Sequence, residues 1–398
     1  MHVMLASVSA ATSPTGVCRH AANIVQGLLA FSSVQKISMF TGAWQSDYFH
    51  NAFHLDNRRL NIIPISEPNT ALGRNLWHLR GLPAAARRHE VDLIHLAFPM
   101  PVLPAMNPIV VSLHDLYPFD MTQNFGRRAW LNRAALKLCL RNVDAIACVS
   151  EDTHARANQL FPALARDKAT VVPNSIYLSH SLDCAPLPDS IQGHPIVLCV
   201  AQHRANKNLA LLIRSFGMAL DRDLLPPGAK LVIVGIEGPE TRRLQQLVTF
   251  SGISRQIVFL RGLSDAQLST LYATSEVVIA PSLLEGFGLP VAEALSFGSR
   301  VICSDIPAFR AFNDPRCTFF DPFDESGESI LTALRCVLQS PRSVSPSRVG
   351  LYPQHAAAKY LDLYLSLLRH KRVDAPQPRP VRYSTVAVAA KAEERRSQ

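Results

Sequence analysis

Residues 281–294 read Pro-Ser-Leu-Leu-Glu-Gly-Phe-Gly-Leu-Pro-Val-Ala-Glu-Ala and set two carboxylates, Glu285 and Glu293, around a glycine-containing turn. The apolar run Val277, Val278 and Ile279 before it has strand character. Pro290 after it suits the first turn of a helix, where its fixed φ helps and its missing N–H costs nothing. A strand, a tight turn and a helix N-terminus make an anion site, because the first N–H groups of the helix have no partner of their own. The backbone of Gly286, Phe287, Gly288 and Leu289 would face the anion, and the two acids would accept from sugar or ribose hydroxyls. The plain alternative is a capped loop with two solvated glutamates. Capping alone does not ask for glycines on both sides of Phe287.

Arg204 and Lys207 stand in Gln-His-Arg-Ala-Asn-Lys-Asn, directly after the apolar run 196–201 and before a helical pattern. Two cations at a strand's carboxyl end can neutralise a diphosphate whose charge grows as a bond to it breaks. A solvated basic loop is the simpler reading of the same residues. His114 and Asp115 follow the run Val-Val-Ser-Leu in the first half of the chain, again at a strand's carboxyl end. They can point into a ligand cleft, Asp115 fixing the His114 tautomer or binding an acceptor hydroxyl, although a single histidine after a strand is more often structural. Gly16 opens the first helix and leaves room for a phosphate or acceptor to approach its backbone, with Arg19 one turn on. Asp221-Arg222-Asp223 has the spacing of a metal clamp but sits at a helix end before Leu-Leu-Pro-Pro-Gly, and no metal role is assigned to it.

The elements that must position these residues alternate. In the first half, 2–8, 91–96, 108–113 and 143–149 read as strands, with helical patterns at 17–29 and 127–141. Residues 182–195 are proline-rich and polar and form the linker. Beyond it strands are expected at 196–201, 230–234, 257–260, 276–280 and 300–303, with helices at 208–220, 239–251 and 265–273. This is α/β patterning with parallel sheets. Two doubly wound units joined by a hinge face one another across a cleft at the carboxyl ends of their strands. The expected divisions are a first domain at 1–181, a second at 196–354, a terminal helix at 355–369 and a disordered basic tail at 370–398.

Length and composition agree. A chain of 398 residues with 48% hydrophobic and 18% charged residues has material for two cores. The net charge of +9 favours anionic partners, and no zinc-finger spacing or aromatic-basic interleaving points to nucleic acid. The eight cysteines are scattered without a Cys-x-x-Cys pair, as expected for reduced thiols in a cytoplasmic protein. No apolar stretch reaches about 20 residues, so no spanning helix is expected, and the first residues read as a strand rather than a signal peptide. The basic, partly apolar helix 127–141 is either a cover for the sheet or a patch for an anionic membrane surface.

Glu285 and Glu293 with Gly-Phe-Gly-Leu-Pro between them resemble the E-x7-E element of retaining GT-B glycosyltransferases of family 4, and the similarity runs over most of residues 1–330. The resemblance implies two Rossmann-like domains and transfer of a hexose from a nucleotide-sugar donor with retention at C1, without a metal or other cofactor. It implies that Arg204 and Lys207 hold the donor pyrophosphate, Glu285 the sugar hydroxyls and Glu293 the ribose, and that His114 orients the donor sugar. Ser150 and Asn174 sit where such proteins line the cleft, although helix capping and turn formation explain them as readily. The chain departs from the pattern in having one glycine at Gly16 where two are common, and Ser175 after Asn174 where glycine is usual. The implied setting is polysaccharide or lipid-linked oligosaccharide assembly, by an enzyme that is cytoplasmic or peripheral on the inner face of the plasma membrane. GDP-mannose is the favoured donor and UDP-glucose the second. The rival readings are a sugar-nucleotide epimerase of similar fold and a non-catalytic sugar-nucleotide-binding protein.

Overall fold

The computed structural model describes residues 1–51, 53, 55–120, 129–176, 185–340 and 353–374. Seven strands build the first sheet: β1 (His2–Ala6), β2 (Lys36–Gly42), β3 (Leu60–Ile65), β4 (Leu93–Leu96), β5 (Ile109–Leu113), β6 (Ala145–Cys148) and β7 (Ala169–Val171). Their order is β3-β2-β1-β4-β5-β6-β7 and every pairing is parallel. Six strands build the second: β8 (Ile196–Val200), β9 (Lys230–Val234), β10 (Ile257–Leu260), β11 (Val277–Ala280), β12 (Val301–Ser304) and β13 (Cys317–Phe320). Their order is β10-β9-β8-β11-β12-β13, again all parallel. Each sheet reverses direction of growth once, between β1 and β4 and between β8 and β11. A doubly wound sheet opens its ligand crevice at that reversal.

The central strands of both sheets are buried on both faces, which is why they read as nearly continuous Val, Ile and Leu. Each domain carries two apolar clusters, one on each side of its sheet. Strands β2, β3, β7 and β13 were not among the sequence expectations. The first two break their apolar runs with Ser38, Asn61 and Pro64, and β7 has three residues at a sheet edge. Their partners, not their own periodicity, make them strands.

The terminal helix spans Pro353–Asp374 and packs against the helix Gly16–Leu29 of the first domain. Gly27 permits that contact, since a Cβ there would lie 2.6 Å from the Pro353 carbonyl oxygen. Tyr360 and Tyr364 are fully buried in the first domain, where Tyr360 OH bonds Ser112 Oγ at 2.9 Å and Tyr364 OH bonds His95 Nδ1 at 2.5 Å. The tyrosines thus combine a large buried ring with a satisfied hydroxyl.

In the linker expected at 182–195, Ile191 is buried against the second domain and Ala185 N–H donates to Thr270 Oγ1. Residues 182–184, including Cys184, lie outside the described residues, as do 341–352 of the second domain and 375–398 of the basic tail. The helix expected at 127–141 is observed as Ala129–Asn142, with Arg127 and Arg128 outside the described residues. Among the described residues the cysteines are free thiols, all buried except Cys336, and no helix is long and apolar enough to cross a membrane.

Candidate active site

Three segments of the second domain meet at the carboxyl ends of β8 and β11. After β8 the chain makes one 3-10 turn, Ala205–Lys207, and Asn208 takes a left-handed conformation before the helix Leu209–Asp221. Asn206 ties this turn to the next strand's loop, accepting from Leu283 N–H at 2.8 Å and donating from Nδ2 to the Leu284 carbonyl at 3.3 Å. That brace sets Lys207 Nζ 2.5 Å from Glu285 Oε1, and Ser282 Oγ donates to the same oxygen at 2.7 Å. The pair sits at the cleft, mostly buried. The helix Leu289–Ser296 then starts from Gly288, whose φ of +92° no L-residue adopts without strain and whose missing Cβ leaves room for Phe309.

Glu293 lies deeper. It is 3% exposed, its Oε2 accepts from Tyr272 OH at 2.7 Å, and its Oε1 is 3.8 Å from Arg19 Nε of the first domain. Burial raises its pKa, against which the Arg19 charge and the Tyr272 hydroxyl act. Arg204, by contrast, is exposed and forms no side-chain ion pair among the described residues. It lines a cavity of about 290 Å³ with Arg214, Arg243 and Phe323, whose walls include neither Lys207 nor Glu285.

Apart from Arg19, the first domain meets this edge with neutral groups around His114. His114 follows β5 and donates from Nε2 to the Ala97 carbonyl at 2.8 Å. Because a carbonyl can only accept, this bond puts the proton on Nε2 and leaves Nδ1 as an acceptor. Burial lowers the His114 pKa, so the ring is neutral near pH 7. Asp115 is not what fixes the tautomer: its Oδ1 accepts from Tyr117 N–H at 3.0 Å in a local turn. The His20 ring stands edge-on to His114 at 4.5 Å between centroids, and its Nδ1 bonds Asn174 Oδ1. Asn174 is therefore buried behind the cleft, holding His20, rather than lining the cleft itself. Gly16 begins the first helix, with Thr15 as its N-cap, and a Cβ on it would lie 3.7 Å from Leu289.

The two domains touch at Gly286. Ser150 caps the helix Glu151–Leu160 by accepting from Thr153 N–H, and its Oγ also donates to the Gly286 carbonyl at 2.5 Å. Thr153 Oγ1 is within 3.2 Å of the same carbonyl and of the His114 carbonyl. A Cβ on Gly286 would lie 1.6 Å from the His114 carbonyl oxygen, so only glycine fits. Sequence reasoning nominated Gly286 and Ser150 separately; their contact joins residues 136 apart. It did not nominate His20, Thr153, Asp265 or Tyr272. His20, four residues after Gly16 on one helix face, was the one with a local signal. The clamp-like Asp221-Arg222-Asp223 is a helix end, where Arg222 pairs with Glu328 and Asp223 has a φ of +50°. No group of three or more His, Cys, Asp or Glu among the described residues is arranged to hold a metal.

Two Rossmann-like domains with facing carboxyl edges make a GT-B fold. Residues 14–180 match the model of Glycosyltransferase Family 4 and residues 189–341 that of Glycosyl transferases group 1. The chain belongs to this family of glycosyltransferases. It is 23% identical to the O-antigen chain mannosyltransferase RfbU of Salmonella typhimurium over 84% of this chain and 90% of that protein. Among solved structures it resembles a sucrose-phosphate synthase from Thermosynechococcus elongatus, with a TM-score of 0.67 at 18% identity over 93% of this chain and 99% of the other. It also resembles Anabaena Alr3699/HepE in complex with UDP and glucose, with a TM-score of 0.62 at 16% identity over 94% and 99%.

Proposed function

We propose that this glycosyltransferase moves a hexose from a nucleotide sugar, with retention at C1, to a saccharide or polyprenyl-diphosphate-linked oligosaccharide in polysaccharide assembly. Mannose from GDP-mannose is the favoured transfer and glucose from UDP-glucose the second. The observation that carries the reading is the Lys207–Glu285–Ser282 cluster beside the helix N-terminus at Leu289, opposite His114. The O-antigen mannosyltransferase supports the hexose and the pathway class, and the UDP-bound neighbour supports a nucleotide donor.

In this reading the bond from C1 to the diphosphate oxygen breaks while the acceptor oxygen bonds C1 on the same face, and the acceptor proton passes to the departing phosphate oxygen. Lys207 and the 286–289 backbone stabilise the growing negative charge, without a metal. Arg204 reaches the outer phosphate only by swinging from its present cavity. Glu285 accepts from sugar hydroxyls, Glu293 serves the ribose, and neutral His114 accepts a sugar hydroxyl at Nδ1. The enzyme works in the cytoplasm, the helix Ala129–Asn142 covering the first sheet through Leu136, Cys139 and Leu140. Peripheral attachment to a membrane's inner face is the second setting, through exposed Trp130, Leu131 and Leu138 beside Lys137 and Arg141.

The test is incubation of the protein with each labelled sugar nucleotide, with and without a lipid-linked or free saccharide acceptor, in EDTA. Acceptor-dependent transfer with retained anomeric configuration by NMR is expected. An inverted product, an absolute metal requirement, or release of an epimerised sugar without acceptor contradicts it.

A further inference from the structure

Among the described residues, the charged contacts between the two domains are made by Arg19. Arg19, on the helix Gly16–Leu29, reaches across to Asp265 at the start of the helix Asp265–Thr274. It makes two parallel bonds, Nη1 to Oδ2 at 3.0 Å and Nη2 to Oδ1 at 2.6 Å. Its Nε faces Glu293 Oε1 at 3.8 Å, and the Phe53 ring backs the guanidinium at 5.3 Å from its own domain. The side chains of Arg19 and Asp265 are only 14% and 20% exposed. A planar, bidentate and poorly solvated pair of this kind fixes direction as well as distance.

The position of this pair matters more than its strength. Gly16, one turn before Arg19, abuts Leu289, and Glu293 lies on the helix that Leu289 starts. Anchoring Arg19 therefore seats the first domain on the same helix whose preceding turn carries Glu285 and Gly286. Once seated, the Gly286 carbonyl meets Ser150 and Thr153, and His114 comes opposite the Lys207–Glu285 pair. Arg19 also supplies the positive charge that opposes the burial penalty on Glu293.

We propose that Arg19 is a positioning residue for glycosyl transfer: its paired bonds to Asp265, together with its charge beside Glu293, hold the two domains in the closed register that assembles the site. The kinetic part of this proposal rests on the function proposed above; the closure part does not.

The test combines small-angle X-ray scattering, binding of a nucleoside diphosphate and steady-state kinetics on wild type, Arg19→Ala, Arg19→Lys, Asp265→Asn and the Arg19→Ala/Asp265→Asn double variant. Arg19→Ala and Asp265→Asn should each show a larger radius of gyration and a kcat lowered by about tenfold or more, equivalent to roughly 1.4 kcal/mol. The diphosphate dissociation constant should change by less than about threefold, equivalent to well under 1 kcal/mol. Arg19→Lys should recover part of the loss, since one ammonium cannot make two parallel bonds. The double variant should be no worse than the poorer single, because the two residues act as one unit. An unchanged radius of gyration with kcat within twofold of wild type, or additive losses in the double variant, overturns the proposal. If Arg19→Ala does not fold, Asp265→Asn, which keeps the arginine and the shape of its partner, carries both readouts. Should wild type turn over no sugar nucleotide, the function proposed above fails, while scattering still decides the closure.

Discussion

The two faces of the cleft use opposite means. The second domain presents full charges, Lys207 against Glu285, with Glu293 behind them. Apart from Arg19, which is engaged with Asp265 and Glu293, the first domain presents imidazoles that burial keeps neutral: His114 at the cleft, His20 beside it and His95 beneath. A charged face suits a ligand that is itself ionised and gains charge during reaction. A neutral, hydrogen-bonding face suits sugar hydroxyls, which need direction but no counter-charge. Under the function proposed above, the asymmetry would divide the labour of the site, with phosphate on one side and sugar orientation on the other.

The sharpest way to break this division is to remove the charge. Lys207→Ala should lower kcat by about 100- to 1,000-fold, the range for losing one preorganised group at a developing anion, in a transfer assay with the preferred donor. A variant within tenfold of wild type would place the diphosphate elsewhere. Next comes the junction between the faces. Gly286→Ala drives a methyl group into the His114 carbonyl; backbone on both sides cannot yield cheaply, and about a tenfold or greater loss of kcat is expected, at 1.4 kcal/mol per decade, with diphosphate binding largely kept. Binding and turnover falling together would show that the turn itself had collapsed.

Smaller effects come from the neutral face. On the function proposed above, His114→Ala removes one neutral hydrogen bond to the sugar, worth about 0.5–1.5 kcal/mol. It should weaken the nucleotide sugar but not the free nucleoside diphosphate, compared by calorimetry; equal weakening of both would put His114 on the phosphates. Acid should expose the same asymmetry as stability. Burial lowers the pKa of His78 to about 4 and of His95 to about 3, and holds that of His20 well below the ordinary 6.5. Below pH 6.5 the unfolded chain binds protons that these folded imidazoles refuse, so the neutral forms stabilise fully above 6.5 and the advantage is lost as pH falls toward their folded values. Each contributes a slope of up to about 1.4 kcal/mol per pH unit in that window. Melting temperature should drop from pH 6.5 downward, with earlier amide exchange in the first domain than in the second. A flat profile to pH 5 contradicts the buried neutral histidines.

Much of this was legible in the chain because Rossmann-like sheets put functional groups directly after strands. Lys207 and Glu285 each follow an apolar run within a few residues, so their order in sequence announces their place at the cleft edge. The alternation of strand and helix announced the two sheets for the same reason. What the sequence hid is what depends on how the two halves face one another. Arg19 and Asp265 are 246 residues apart, and neither has a local pattern that asks for the other. Asn174 looked like a cleft residue, because its position after the edge strand β7 says nothing about its burial against His20. Arg204 looked like a twin of Lys207, yet the tight 3-10 turn sends the two side chains different ways. Glycine requirements were half visible: the turn needed Gly288 for its φ, but the need at Gly286 comes from a carbonyl in the other domain.

The most direct test of a charged donor face is nucleoside diphosphate binding to wild type and Lys207→Ala, followed by thermal shift in EDTA with GDP, UDP and ADP. At a hundredfold excess over its dissociation constant a ligand adds about 2.7 kcal/mol to stability. One diphosphate is predicted to raise the melting temperature of wild type by several degrees, and that rise should largely vanish in Lys207→Ala. If none of the three shifts wild type, or if the shift survives intact without Lys207, the charged edge is not the donor site.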